Sequence, residues 1–312
     1  MYKFERITGD SYNKIRELSK RSFGIDRTEL SIANKYNTEM FGKVNIGVLA
    51  ETKENELAAF YGVFPLVLEY KERKYLVAQS GDTMTAPEHR KKGLFTKLAK
   101  LTYAIAEKEG VKAVFGFPNE NSYPGFKNKL NWIFTGAMQR FRIRVRTIPF
   151  CEASNKYKFW RPVYRSFFKA RIRKYNIVLS EENIKHFRSN QNVACIKKDL
   201  NYFKYKLLDS YNRLIRINGF LMLVKTVAHL QIGVVGYFEK HRTEDFLQVV
   251  KRLSRRMGCR DVIFIMSQNH WLFDYLIEKH AHEESLPIGF YMIDEALDPG
   301  LVEFTQSDYD TF

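Results

Sequence analysis

The sequence predicts an α/β protein made of two similar units in tandem, each a twisted mixed sheet flanked by helices. Three observations point there. Short apolar runs alternate with amphipathic stretches along most of the chain. The hydrophobic period changes from strand-like to helical at Gly93. The last third repeats, in outline, the order of elements in the first. With 312 residues the chain has room for one large domain or two ordinary ones.

Taken in order, Asp10 to Phe23 reads as a helix and a second polar helix follows. Residues 45–50 and 56–64 are apolar and separated by the charged turn 51–55, a hairpin signal. Lys74 to Thr85 continues the sheet until Pro87. From Gly93 to Glu109, Leu94, Leu98, Leu101 and Ile105 recur at helical spacing, and Gly110 closes the helix. Val111 to Phe117 is a buried strand, and Asn119 to Leu130 a turn and helix. Residues 138–146 alternate, with Arg140, Arg142, Arg144 and Arg146 on one face. The expected domains are 1–148, a basic connector over 149–190, and 191–312. Lys156 to Lys174 holds eight Lys or Arg and no acid, which suits an amphipathic helix docked on the surface or touching an anionic membrane or RNA. Further on come a hairpin over 215–238, a helix over 243–257, a strand over 262–266, a helix over 271–279 and a strand over 288–293.

Composition bounds the class. The chain is 45% hydrophobic and 28% charged, close to a globular average. Cys151, Cys195 and Cys259 are odd in number and far apart, which argues against a disulfide framework or a thiolate zinc site and suits a reducing, cytoplasmic setting. The first residues lack the apolar core of a signal peptide, and no apolar run reaches the ~18 residues that span a bilayer. A net charge of +16 favours nucleic acid, an anionic surface or a small polyanion and disfavours a strongly cationic substrate. His280 and His282 are two residues apart with no third partner in view, so no metal is expected.

The stretch from Gly81 to Leu98 carries chemistry. A strand runs into a tight turn, and Gly93 opens a helix whose N-terminus offers free N–H groups to an anion. Arg90, Lys91 and Lys92 add charge, and Thr96 a hydroxyl, which predicts a phosphate or pyrophosphate site. Neither a Rossmann fingerprint nor a P-loop is present.

Residues Thr85 to Leu98 resemble the acyl-CoA-binding motif of the GNAT acetyltransferases: Arg or Gln, two free positions, Gly, one free position, then Gly or Ala. Arg90 and Gly93 match the first two fixed positions, and Phe95 departs from the last. The clear resemblance covers 1–148, and the whole length is similar to two-domain GNAT proteins in which only the first copy holds the cofactor. The second copy fits, since Phe238 to Phe246 has two acids and no glycine at its helix start. The resemblance implies an acyl-CoA-dependent N-acetyltransferase acting on the amine of a small acceptor, an anionic one such as an amino sugar by the charge argument. It implies acetyl-CoA as cosubstrate, with Thr83, Met84, Thr85, Arg90, Lys91, Lys92, Gly93, Leu94, Phe95 and Thr96 along it. Asn119 and Asn121 either bind pantetheine or cap a helix.

The family's usual acid is a tyrosine four residues before a Gly-aromatic pair, and here that position is Lys127; Tyr123, one turn earlier, is the expected substitute. Asp82 and Glu88 are candidate bases. Relatives can bring a C-terminal carboxylate into the site, and Phe312 allows the same. Two other readings stand beside this one. A peptidoglycan-type aminoacyl transferase has no need of the Arg90–Gly93 motif, and a non-catalytic RNA- or membrane-binding protein lacks the exposed aromatics beside cations that stacking surfaces use.

Overall fold

A computed structural model describes residues 1–187, 193–295 and 297–312. In chain order β1 (Lys3–Arg6) leads to α1 (Tyr12–Phe23) and α2 (Glu29–Tyr36), then to the meander β2 (Ile46–Glu51), β3 (Leu57–Tyr70) and β4 (Arg73–Thr85). Next come α3 (Leu94–Lys108), β5 (Ala113–Gly116), α4 (Tyr123–Lys129) and β6 (Ile133–Arg144). The helices α5 (Phe150–Lys156), α6 (Arg161–Ile172) and α7 (Glu181–Ile184) precede β7 (Ala194–Ile196) and α8 (Leu200–Lys206). The remainder is β8 (Arg213–Ile217), β9 (Phe220–Val227), β10 (His229–Val235), α9 (Thr243–Arg256), β11 (Asp261–Met266), α10 (Phe273–Lys279), β12 (His282–Met292) and β13 (Val302–Glu303).

Two compact units result: residues 1–136 with 286–300, and residues 137–285 with 301–312. They are delimited differently from the expected domains. The first takes its last strand from near the end of the chain, and the stretch expected as a connector belongs to the second.

In the first unit the strand order is β1-β2-β3-β4-β5 and then the end of β12. All neighbours are antiparallel except β4 and β5, which α3 joins as a parallel pair. Alternation along β2 and β3 divides the core. Ile46, Val48, Tyr61 and Val63 face α3 and α4, while Leu49, Phe60 and Phe64 face α1 and α2. Pro65 sits inside β3, opposite Ala78, just past the Ile46–Val63 pair that ends the β2 ladder, so its missing N–H costs no bond to β2. β1 was not expected. Its four residues are all exposed and give no apolar signal.

The second unit orders its strands β6-β11-β10-β9-β8, with β10 and β11 the parallel pair joined by α9. Tyr164, Phe168 and Ile172, four residues apart on α6, enter its core, so this basic helix is docked by one face. On β6 and the two residues after it, Phe141, Ile143 and Val145 are buried, while Arg142, Arg144 and Arg146 are exposed and Arg140 is half-buried, its guanidinium 3.3 Å from Glu283. His280 caps α10 and His282 opens β12, where a helix end was expected to hold both.

Each unit carries the same irregularity. In the β3–β4 ladder Tyr61 faces Thr83 and Val63 faces Ser80, leaving one extra residue on β4 at Gly81–Asp82. In the β9–β10 ladder the extra residue is Gly233 on β10. A shared bulge beside a shared parallel crossover is what two copies of one unit would show.

Candidate functional site

The site of interest lies in the first unit, where β4 outruns its neighbour. β4 and β5 pair only from Val77–Ala113 to Gln79–Phe115, whereas β4 continues to Thr85. Beyond Ser80, which still lies beside Gly116, Gly81 to Thr85 have no ladder partner on β5, which leaves a gap in the pairing on that side. The bulge turns the strand here. Met84 is buried against the α1–α2 core, so it can meet a ligand only through its backbone, while Thr83 and Thr85 are half-buried.

Beyond β4, a single turn at Pro87–His89 leads to Arg90 in an extended conformation and to Lys91 and Gly93 in the left-handed region, φ 62° and 74°. Gly93 is the N-cap of the fifteen-residue α3. No side chain caps that terminus, and no acid stands in its first turn. The N–H groups of Leu94, Phe95 and Thr96 thus begin the helix without a side-chain acceptor, beside Lys91 and Lys92, which are exposed. A Cβ on Gly93 would meet nothing within 4 Å, so glycine is needed there for its positive φ and not for space. Arg90 is tied down: Nε donates to the Thr85 carbonyl and a terminal nitrogen to that of Ser22, each at 3.4 Å.

Phe95, where a small residue was expected, leaves the helix terminus clear. Its ring packs edge-on against Phe126 at 5.2 Å and lies so close to Gly125 that a Cβ there would come within 2.8 Å of it. The large residue on α3 is matched by a missing side chain on α4.

The other expected residues are placed as follows. Asn119 Oδ1 accepts from the N–H groups of Asn121 and Ser122, both at 3.1 Å, so this carboxamide caps the turn into α4, and Asn121 is exposed beside it. Tyr123 is the first residue of α4. Its ring lies against Phe134 at 4.5 Å, and the Lys127 ammonium stands over it at 5.5 Å, on the ring face. Glu88 is an exposed turn residue 3.5 Å from Arg21. Asp82 is buried; Arg27 donates to its two oxygens at 2.9 and 3.0 Å, and Lys35 to one at 2.9 Å. Burial opposes its charge, but Lys35 and Arg27 outweigh it and hold the carboxyl below the usual range. A carboxylate so held is a poor proton acceptor.

One feature escaped the sequence. Trp132 Nε1 donates to the Tyr103 hydroxyl at 3.0 Å, Tyr103 and Tyr61 share a hydrogen bond of 2.8 Å, and Tyr61 and Ser80 one of 2.7 Å. Indole N–H can only donate. If every hydroxyl hydrogen is used, the chain runs Trp132, Tyr103, Tyr61, Ser80 and leaves the Ser80 hydrogen for a further acceptor. Burial raises the phenols of Tyr61 and Tyr103 far out of the titrating range, so the chain orients a donor and does not supply a proton. The available signal was Tyr103 on the helix α3, one residue round from the leucine stripe.

Comparisons with known proteins bear on the family and the fold. Residues 3–134 match the family described as "Acetyltransferase (GNAT) domain". No curated protein matches the sequence. Among solved structures, a GCN5-related N-acetyltransferase from Kribbella flavida is similar, with a TM-score of 0.60, 12% identity and coverage of 94% of this chain and 72% of that one. A probable N-acyltransferase from Enterococcus faecalis V583 gives 0.56, 13%, 94% and 73%. The Saccharomyces cerevisiae N-myristoyltransferase with bound myristoyl-CoA gives 0.57, 12%, 96% and 80%. At these identities the likeness is one of fold. Among the described residues no helix is long and apolar enough to cross a membrane.

Proposed function

We propose that this chain, whose residues 3–134 match the acetyltransferase (GNAT) domain family, is an acyl-CoA-dependent N-acyltransferase whose donor is acetyl-CoA and whose acceptor is a small amine carrying negative charge. The observation behind the donor site is the left-handed Gly93 opening α3 directly after a strand that outruns its partner. In this reading the pyrophosphate sits on the N–H groups of residues 94–96, with Arg90, Lys91, Lys92 and the Thr96 hydroxyl around it. Pantetheine lies along Thr83, Met84 and Thr85, and a backbone N–H of that run holds the oxyanion. The acceptor nitrogen attacks the thioester carbonyl, the C–S bond breaks, and the thiolate takes a proton from the Tyr123 hydroxyl while the amine loses one to solvent. Asp82 keeps Arg27 and Lys35 in place and takes no proton. The net charge of +16 supports an anionic acceptor, of which a nucleotide-linked amino sugar is the example, and the three free cysteines suit a reducing, cytoplasmic location.

Calorimetry with acetyl-CoA tests the donor site. One site per chain is expected, and Gly93→Asp is expected to weaken binding by roughly 10²-fold, because a carboxylate faces the pyrophosphate. Asp tolerates the left-handed conformation, so circular dichroism should stay native. Unchanged affinity in that variant would put the phosphates elsewhere.

A further inference from the structure

β10 and β11 begin side by side, with Leu230 opposite Val262, so their opening residues His229 and Asp261 are neighbours. The helix α5 adds Glu152, whose Oε1 accepts from the Arg260 N–H at 2.6 Å. One ligand atom from each of Glu152, His229 and Asp261 lies within 4.8 Å of the others. Glu152 Oε2, His229 Nδ1 and Asp261 Oδ1 are all shut off from solvent, and none has a hydrogen-bond partner. Asp261 is only 6% exposed. Its nearest nitrogen groups are too distant for a good hydrogen bond: Arg144 Nε is 3.5 Å from Oδ1 and His229 Nδ1 is 3.6 Å from Oδ2.

An orphaned, solvent-shielded polar atom on each of three residues, with one ligand atom of each within 4.8 Å of the others, calls for a common partner, since polar atoms shut off from solvent are otherwise paired. A water would need room and donors for two carboxylates at once. A divalent cation satisfies both carboxylates and the imidazole lone pair together, and its charge cancels theirs. One nitrogen and two oxygens are a donor set of zinc and its first-row neighbours, in the three-ligand arrangement that leaves a fourth position for water. Around zinc at its usual bond lengths such ligands stand about 3.4 Å apart. The 3.6 Å between His229 and Asp261 is already close, and the rest needs a small contraction.

We propose that Glu152, His229 and Asp261 bind one divalent transition-metal ion, zinc by its ligand set, which clips α5 to the starts of β10 and β11. Arg140, Arg142 and Arg144 on β6 are the competing cations; with the ion in place Arg144 stays on the outer side of Asp261.

The test is titration of the chelator-stripped full chain with Co2+, whose visible absorption reports its coordination, followed by displacement with Zn2+ and a thermal melt. Expected are saturation at one equivalent per chain, a rise in Tm with metal, and a loss of affinity of roughly 10²-fold or more in both His229→Ala and Glu152→Gln. The double variant His280→Ala, His282→Ala should bind as the parent does. Absence of saturable binding, binding indifferent to Glu152→Gln and His229→Ala, or binding lost with His280 and His282 overturns the proposal. X-ray absorption of the zinc-loaded parent decides the matter if the variants do not fold: one imidazole with oxygen donors supports the site, and sulfur or several imidazoles refute it.

Discussion

At the scale of single residues, the question is which group meets the departing thiolate. Tyr123 and Lys127 lie one turn apart on α4, and the ammonium rests on the tyrosine ring. Tyr123→Phe removes only the hydroxyl and keeps the packing on Phe134. A fall in kcat of roughly 10²-fold, with Tm nearly unchanged, is expected, the low end for general acid catalysis. Lys127→Ala should leave kcat within a few-fold, measured with one good acceptor at saturating acetyl-CoA. An inactive Lys127→Ala beside an active Tyr123→Phe would reverse the assignment. A second residue, Glu303, sets a pH dependence. Burial, reinforced by Asp308 and opposed by Lys198, pushes its carboxyl up to about 8. Its neighbour His270, 3.8 Å away, is pushed down to about 3 by burial and Lys198, so near neutral pH the two form no ion pair. The folded state then keeps a proton that the unfolded chain loses above its ordinary value of 4.5. Stability therefore falls as pH rises from about 4.5 to about 8 and levels off above. Glu303→Gln cannot titrate and should flatten that fall, by on the order of 5 kcal/mol for a carboxyl raised from 4.5 to about 8, read from urea midpoints across the window. A parallel pH profile in the two proteins would exclude a neutral Glu303.

At the scale of elements, much was legible because periodicity survives burial. The β2–β3 hairpin, the helix after Gly93 and the docked basic helix follow from spacing alone. What the sequence hid has physical causes. The buried face of α3 is Leu94, Leu98, Ala99, Thr102, Tyr103 and Ala106, with Leu101 and Ile105 only half-buried. Thr102 and Tyr103 look polar in a sequence, yet enter the core because the Tyr61 carbonyl accepts from the Thr102 hydroxyl, while the Tyr103 hydroxyl pairs with that of Tyr61 and accepts from the Trp132 indole N–H. The partners of Asp82 were equally hidden. Arg27 and Lys35 are far from it along the chain, and nothing in either segment marks them as a pair. The motif around Gly93 was legible for the opposite reason: a left-handed N-cap and its flanking cations are local.

At the scale of the whole molecule, the two copies differ in what borders the parallel crossover. α3 begins at a left-handed glycine with no acid in its first turn, whereas α9 begins at Arg242, φ −86°, with Glu244 and Asp245 already there. The second difference lies beyond β10 and β11, whose pairing stops at Ile232 and Phe264. There Ser267 donates to the Phe304 carbonyl at 3.0 Å, Met266 bridges Thr305, and Gly233 has no room for a Cβ beside the ring of Phe312. Lys225 and Lys206 donate to the carbonyls of Thr311 and Tyr309, both at 2.8 Å. The region corresponding to the cofactor gap thus holds the chain's own last residues. A tethered segment competes at an effective concentration of about millimolar or more, against which a free ligand must bind unusually well. On the proposed donor reading, charge and occupancy both disfavour a second cofactor here, so reversing the charge alone should not create a site. The variant Glu239→Arg, Arg242→Gly, Glu244→Gln, Asp245→Asn rebuilds the anion seat at α9, yet should still take up one acetyl-CoA per chain in calorimetry; a second equivalent would mean that the segment yields its place. The second unit thus uses the end of its own parallel crossover to hold residues 304–312, an anchor where the proposed reading puts a cofactor in the first unit.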